Sequence, residues 1–290
     1  MKQHITLRRE QSKVKKYGIK ILLIIVFLVG LSLMLYPSLS NYWNSFHQST
    51  AIASYLDTVA EIDDDVYEEI WTSANKYNER IAETGNIWIP NEEQLKEYRK
   101  QLDVSKTGIM GYVDIPAIDC KLPIYHGTDE SVLQIAVGHI EGSSLPVGGA
   151  STHCVLSGHR GLPSARLFTD LDKLAEGDIF MIQVLDETLT YEIEKIMIVK
   201  PYEVDKLKIE EGKDLCTLVT CTPYGINSHR MLVQASRIET VQEVQATRVT
   251  ADAVQIEPLI IAPIVGVFFI IILWIILIIS VANRKRAKKR

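Results

Sequence analysis

The stretch from Thr217 to Arg230, TLVTCTPYGINSHR, is the most informative part of this 290-residue chain. An alternating run of β-type residues leads into Cys221, a polar turn follows, and Arg230 opens the next apolar run. Because side chains alternate along a strand, Cys221 shares a face with Val219, whereas Cys216 points to the opposite face. The pattern predicts two paired strands that bring the thiol and the guanidinium together.

A second motif, SGHRGLP over residues 157–163, supplies an imidazole at His159. A thiol becomes a nucleophile beside a base or a cation, and an arginine fork can hold a carbonyl oxygen or a developing oxyanion. The plainer alternative is that Cys221 is a buried structural cysteine and Arg230 a surface arginine. Residue chemistry alone leaves five histidines open as the partner of the thiol: His126, His139, His153, His159 and His229.

Together, the two motifs resemble the active site of sortases, the cysteine transpeptidases of Gram-positive cell surfaces. The forms TLVTCTPYG and GHRGLP look most like class C, the pilin-polymerising branch, and the resemblance covers residues 108–238. It implies Cys221 as the nucleophile, His159 as the proton-transfer partner and Arg230 as the group that holds the substrate. We expect neither a cofactor nor a metal ion, because the cysteines lack the paired short spacing of zinc sites.

In the reaction that the resemblance implies, Cys221 attacks the Thr–Gly bond of a Leu-Pro-x-Thr-Gly-like sorting signal and forms a thioester. His159 protonates the departing glycine amine. A lysine amine of the next pilin subunit then resolves the thioester, so the expected partners are sorting signals and pilins. Two alternatives stay open: attachment of surface proteins to a peptidoglycan amine, and a noncatalytic membrane-anchored scaffold that binds a partner.

Class C relatives usually carry an Asp-Pro-aromatic lid, but no Asp-Pro dipeptide occurs in this chain. The sequence GNIWIPNEE, residues 85–93, offers Trp88 and Pro90 as a candidate lid within an irregular stretch, residues 85–106, that we interpret as a loop or flap. A large aromatic side chain is costly to expose unless it packs in a groove. Either Trp88 replaces the missing lid aromatic, or the site is open.

Apolar runs at residues 19–36 and 258–282 are each long enough to cross a bilayer. Basic residues flank both runs on the side of the chain ends, and short basic flanks stay in the cytoplasm. We therefore expect a multi-pass cell-membrane protein with both termini in the cytoplasm and the catalytic domain on the extracellular face. A cleaved signal peptide is the alternative for the first run.

The segment between the two runs, residues 37–257, contains 18 basic and 35 acidic residues, a formal net charge of −17. The charge of the whole chain, −5, conceals this acidic domain. Phosphates would repel such a domain, so nucleic acid is excluded as a partner.

Apolar residues recur every three to four positions from Thr50 to Ala82, which predicts helix interrupted at the acidic residues 63–65. From Gly108 onward, short apolar runs separated by Gly and Pro favour a closed β-barrel of about eight strands. We expect a short helix over Arg166–Ala175. The predicted fold is thus mainly β, a sortase-type barrel with short helices, preceded by a helical and lid segment and flanked by two transmembrane helices.

These expectations divide the chain into seven segments along its length. They are a cytoplasmic basic segment (1–18), a transmembrane anchor (19–36), an extracytoplasmic helical and lid region (37–107), the catalytic barrel (108–240), a linker (241–257), a second transmembrane helix (258–282) and a cytoplasmic basic tail (283–290).

Overall fold

The structure, a computed structural model, describes residues 2–240 of the chain. Of these, residues 2–39 belong to one compact unit and residues 40–240 to another. The predicted linker, second transmembrane helix and basic tail, residues 241–290, lie outside the described residues.

The first helix, α1, spans Lys2–Ala60. It includes the predicted anchor at residues 19–36 and joins it to the helix predicted from Thr50, so a single helix continues through Pro37. A proline removes one hydrogen bond from a helix, and the residues around Pro37 are rich in leucine, which favours helix. By length and composition, one stretch of the described residues, Lys20–Ala60, is suited to crossing a membrane.

Helix α2, Asp64–Thr84, begins where the acidic run predicts a break, and its first turn is acidic as the helix dipole favours. The Asn78 side chain accepts a hydrogen bond from the Leu145 N–H at 2.7 Å and donates to the Leu145 carbonyl at 3.1 Å. These bonds tie α2 to the loop before the fourth strand. One face of α2 is buried in the main core through Ala74, Tyr77 and Ile81.

The stretch interpreted as a loop, residues 85–106, contains a short helix, α3, over Glu92–Tyr98. Its start is fixed by a capping box: the Asn91 side chain accepts from the Gln94 N–H, and the Gln94 side chain accepts from the Asn91 N–H. Tyr98 at its end is buried, and its hydroxyl lies 2.9 Å from Nδ1 of His139. The predicted flap is irregular on both sides of this helix, at residues 85–91 and 99–106.

Eight strands close into a barrel in the order β1-β2-β3-β4-β7-β8-β6-β5, which confirms the predicted fold class for this part of the chain. The β2/β3 and β4/β7 pairs are parallel, and the other pairs are antiparallel. The strands are β1 (Ile109–Ile115), β2 (Cys120–His126), β3 (Val137–His139), β4 (Thr152–Ser157), β5 (Ile179–Val184), β6 (Glu187–Val199), β7 (Asp214–Thr222) and β8 (His229–Ile238).

The predicted helix over Arg166–Ala175 is wrong, since this range contains a 3-10 turn, Leu171–Lys173, instead. Leu167 has a φ of 40°, in the left-handed region, and such a residue cannot continue a right-handed helix. A four-residue helix that the sequence did not indicate, α4 (Glu130–Leu133), connects β2 to β3.

Strand β7 contributes to two different apolar clusters. Cys216 and Leu218 lie in the main core, together with the stacked rings of Phe180 and Tyr191. Val219 belongs to a second cluster, here called the outer cluster, whose buried members are Val155, Val199, Leu207, Val219 and Leu232. The alternation expected along β7 is therefore observed, and Cys221 follows Val219 on the face of the outer cluster.

His153 on β4 is buried as a neutral ring. Its Nδ1 donates to the Lys208 carbonyl at 2.9 Å, and its Nε2 accepts from the Thr217 hydroxyl at 2.7 Å. Burial lowers the pKa of His153, because the imidazolium would lose its hydration. The unfolded chain, with a histidine pKa of about 6.5, therefore binds this proton at a higher pH than the folded protein does.

This difference predicts acid destabilisation that starts below about pH 6.5, with His153 contributing up to about 1.4 kcal/mol per pH unit. In His153→Gln the slope of the unfolding free energy against pH should fall by that amount, since glutamine keeps a donor and an acceptor but does not titrate. Urea unfolding of the full chain in detergent at a series of pH values measures both slopes. Equal slopes in the two proteins would contradict the prediction.

Candidate active site

Cys221 and Arg230 are direct partners in the antiparallel β7/β8 ladder. Side chains of directly opposed residues lie on the same face, with Cβ atoms about 5 Å apart. Both residues are partly exposed at the end of the barrel where the polar turn begins. The hairpin predicted from the sequence thus places the thiol beside the guanidinium.

His159 is carried to the same place by β4, which runs parallel to β7 with Ser157 opposite Val219. The next residue, Gly158, continues this alignment: its N–H donates to the Val219 carbonyl at 3.0 Å, and its carbonyl accepts from the Thr220 hydroxyl at 2.8 Å. His159 therefore begins its loop alongside Cys221, with 27% of its side chain exposed.

The glycines of the GHRGLP motif have a packing role in this loop. A Cβ on Gly158 would lie 2.6 Å from the Phe168 ring. Gly161 has a φ of +75°, and a Cβ there would lie 2.3 Å from the ring of Tyr224, which belongs to the turn between Cys221 and Arg230. The motif thus has glycines at the two positions where the loop of His159 packs against the Phe168 ring and against the turn that follows Cys221.

The structure distinguishes between the five histidines that residue chemistry leaves open as the partner of the thiol. Nε2 of His126 lies 2.7 Å from the Gln101 carbonyl, and Nε2 of His139 lies 2.8 Å from the Ser144 carbonyl. His229 precedes Arg230 on β8, so its side chain leaves the opposite face of the strand. His159, in contrast, follows β4 directly beside the end of β7, and its side chain is partly exposed.

The four cysteines differ in accessibility. Cys154 and Cys216 are buried in the main core, and burial raises the pKa of Cys120 to about 12. Cys221 is partly exposed at the end of its strand. Solvent and substrate therefore reach Cys221 more readily than Cys154 or Cys216.

The guanidinium of Arg230 is oriented by the turn beside it. Its Nη1 donates to the carbonyls of Asn227 and His229, both at 3.1 Å. Two other arginines near His159 are engaged elsewhere, because Arg160 pairs with Asp172 and Arg166 pairs with Asp170.

Trp88 packs against the outer cluster, whose member Val219 lies two residues before Cys221. The segment around Trp88 is attached to two loops: Ile87 N–H donates to the Gly142 carbonyl at 2.9 Å, and Asn86 Nδ2 donates to the Leu207 carbonyl at 2.7 Å. Gly142 has a φ of +78°. A Cβ at this position would lie 1.9 Å from the Ile87 carbonyl oxygen, so the backbone of Ile87 is in close contact with Gly142. Residues 86–88 therefore bridge the outer cluster between the β3–β4 and β6–β7 loops.

The rest of the candidate lid contributes less to this packing. The Ile89 side chain is 92% exposed, and Pro90 is partly exposed just before the cap of α3. The ring of Trp88 is thus the main apolar contact between this segment and the outer cluster.

Sequence reasoning missed Glu130, the first residue of α4. Its Oε2 lies 3.5 Å from Nε2 of His159. No local pattern indicated this contact, because it depends on the long-range pairing of β3 with β4.

Comparison with known proteins shows which family this part of the chain resembles. The sortase domain model matches residues 113–238. Sortase D of Bacillus subtilis (strain 168) is 31% identical over 131 residues, a match that spans 44% of this chain and 63% of the relative.

Two solved structures are similar over more of the chain. Sortase C1 from Streptococcus agalactiae is 50% identical, with a TM-score of 0.65, and the match covers 66% of this chain and 100% of that one. Sortase C from Streptococcus pneumoniae is 43% identical, with a TM-score of 0.59, and the match covers 66% of this chain and 97% of that one. With a thiol, an imidazole and a guanidinium brought to one end of the same barrel, this chain belongs to the sortase family of cysteine transpeptidases, in its class C branch.

Proposed function

We propose that this protein is a membrane-anchored transpeptidase that joins pilin subunits. It cleaves a Leu-Pro-x-Thr-Gly-like sorting signal between Thr and Gly and transfers the new carboxyl end to a lysine amine of another subunit. The observation that carries the proposal is the pairing of Cys221 with Arg230 on adjacent strands, with the loop of His159 beginning alongside.

In the first half of the reaction, the Cys221 thiol gives its proton to His159, and the thiolate attacks the threonine carbonyl carbon. Arg230 donates hydrogen bonds to the oxygen as it becomes negative. The C–N bond then breaks, and the imidazolium returns the proton to the departing glycine amine. In the second half, an incoming amine attacks the thioester, gives a proton to His159 and releases the thiolate.

In this reaction, the candidate lid would control access to the thiol. A substrate that reaches Cys221 along the outer cluster must displace the Trp88 ring. Partial burial of a tryptophan ring stabilises the closed segment by about 1.5 kcal/mol, so Trp88→Ala should raise the open fraction about tenfold. We expect bulky maleimides to alkylate Cys221 about tenfold faster in this variant, without a large change in Tm.

Ile89→Ala provides the matched control, because its side chain is in the same segment but 92% exposed. Alkylation of Cys221 is followed by mass spectrometry of its tryptic peptide. Equal rates in Trp88→Ala and the unmodified chain would mean that the site is open and that Trp88 is ordinary packing.

A lysine acceptor is favoured over a peptidoglycan amine by the relatives in class C. The solved Streptococcus pneumoniae sortase C is described in terms of its pilin substrate specificity. The acidic charge of residues 37–257 is also compatible with a basic donor. Anchoring of surface proteins to peptidoglycan stays the alternative activity of the same site.

The mass of the product distinguishes the two activities. The full chain in detergent is incubated with a sorting-signal peptide and either a candidate pilin or a peptidoglycan amine, and the products are analysed by tandem mass spectrometry. An isopeptide bond to a pilin lysine supports the proposal. A product formed with the peptidoglycan amine alone would support anchoring, and no acyl transfer to either amine would contradict a transpeptidase.

The proposed location is the cell membrane, with residues 37–257 on the extracellular face and both termini in the cytoplasm. The support is the long apolar stretch of α1 together with the basic residues that precede it. In this arrangement the active site faces substrates that are themselves exported.

A further inference from the structure

The connection between β2 and β3 brings a carboxylate to the candidate site. β3 runs antiparallel to β4, with Gly138 opposite Ser157, so the segment just before β3 lies beside the end of β4. That segment contains α4, whose first residue is Glu130. His159 follows two residues after Ser157, and its Nε2 lies 3.5 Å from Oε2 of Glu130.

Glu130 is itself held in place. Its other oxygen, Oε1, accepts a hydrogen bond from the Gln134 side chain at 2.5 Å, one turn along the chain. This hydrogen bond is the main reason that the pKa of Glu130 is lowered, and the neighbouring His159 lowers it further. The segment after α4 is in turn held by α1, because Gln48 Nε2 donates to the Ile135 carbonyl at 2.7 Å.

A carboxylate beside one nitrogen of an imidazole determines which nitrogen can do chemistry. An ionised carboxylate only accepts hydrogen bonds, so the ring nitrogen that faces Glu130 carries a proton. Nδ1 is then the nitrogen that takes the thiol proton and returns it to an amine. The carboxylate also stabilises the imidazolium that exists between these two transfers.

We propose that Glu130 is a positioning residue for the reaction, acting through His159 by holding its Nε2 and fixing the orientation of the ring. The inference rests on the proposed function, because it assigns a partner to the histidine of that reaction. Glu130 itself touches neither the substrate nor the thiol in this assignment. Its removal should therefore affect the turnover of bound substrate rather than substrate binding.

The test compares Glu130→Gln with Glu176→Gln, a matched change of an exposed glutamate in the turn before β5. An exposed ion pair of this kind is weak, so kcat should fall only about three- to fivefold in Glu130→Gln. KM for the sorting-signal peptide should stay unchanged, and Glu176→Gln should match the unmodified chain. Far-UV circular dichroism and the Tm of each variant show whether folded protein has been lost, so that such a loss is not counted as a loss of kcat.

The same substitution in a His159→Ala background completes a double-mutant cycle on the full chain in detergent. Because Glu130 acts through the histidine, Glu130→Gln should cause no further loss of residual activity there. An unchanged kcat in the single variant, a change in KM alone, or an equal fold-loss in both backgrounds would overturn the role of Glu130. Full activity in His159→Ala would instead overturn the proposed histidine role, and the positioning role with it.

Discussion

Replacing Cys221 by alanine should abolish transpeptidation while leaving the fold intact. The substitution removes the proposed nucleophile, and Cys221 is partly exposed at the end of β7, so little packing is lost with the sulfur atom. We expect kcat to fall by a factor on the order of 10⁴ or more, as for other nucleophiles that act with a base as one unit. His159→Ala should reach a similar floor, because neither residue of such a unit is effective without the other.

Cys120→Ala is the control for the loss of a thiol. Cys120 lies at the start of β2, and its thiol is 3.6 Å from the Leu167 carbonyl. This variant should keep activity within about twofold, since a small change away from the site alters stability only modestly. Polymer formation by Cys221→Ala in cells that lack other sortases would refute the assignment of the nucleophile. Loss of activity in both cysteine variants would point to a general effect on folding.

The two halves of the candidate site were not equally visible in the sequence. Cys221 and Arg230 belong to one hairpin, and the alternation of residues along β7 and β8 is a local signal that predicts their pairing. His159 lies about sixty positions upstream and is brought beside the end of β7 by the parallel β4/β7 pair, which no local pattern determines. Residue chemistry left five histidines open, and resemblance to a family was needed to select one.

The difference between local signals and long-range pairing also explains which elements were missed or wrongly predicted. β3 contains three residues, too few to show a period, although its pairing with β4 brings Glu130 to His159. The helix expected over Arg166–Ala175 fails at Leu167, whose backbone is in the left-handed region. The next residue, Phe168, donates its N–H to the distant His159 carbonyl, a long-range contact that no local pattern indicates. Helix α3 was predictable in principle, because the capping box at Asn91 is a local signal.

Substitution of Arg230 should show that the site needs a fork of donors as well as a positive charge. Arg230→Ala removes the group proposed to stabilise the developing oxyanion, and we expect kcat to fall by about 10²- to 10³-fold. Arg230→Lys keeps the charge but replaces the planar fork by a point charge, so it should recover only part of this loss. The measurement is kcat and KM for transfer of a sorting-signal peptide by the full chain.

Arg237→Lys is the matched control, because Arg237 lies on the same strand, paired with Tyr191, away from the thiol. It should leave kcat within about twofold, as expected for a change outside the site. Arg230 also holds the turn through its bonds to Asn227 and His229, so Tm is measured for each variant to separate loss of the turn from loss of the donor. If Arg230→Lys kept full activity at an unchanged Tm, positive charge alone would suffice, and the oxyanion would have to be bound by other donors.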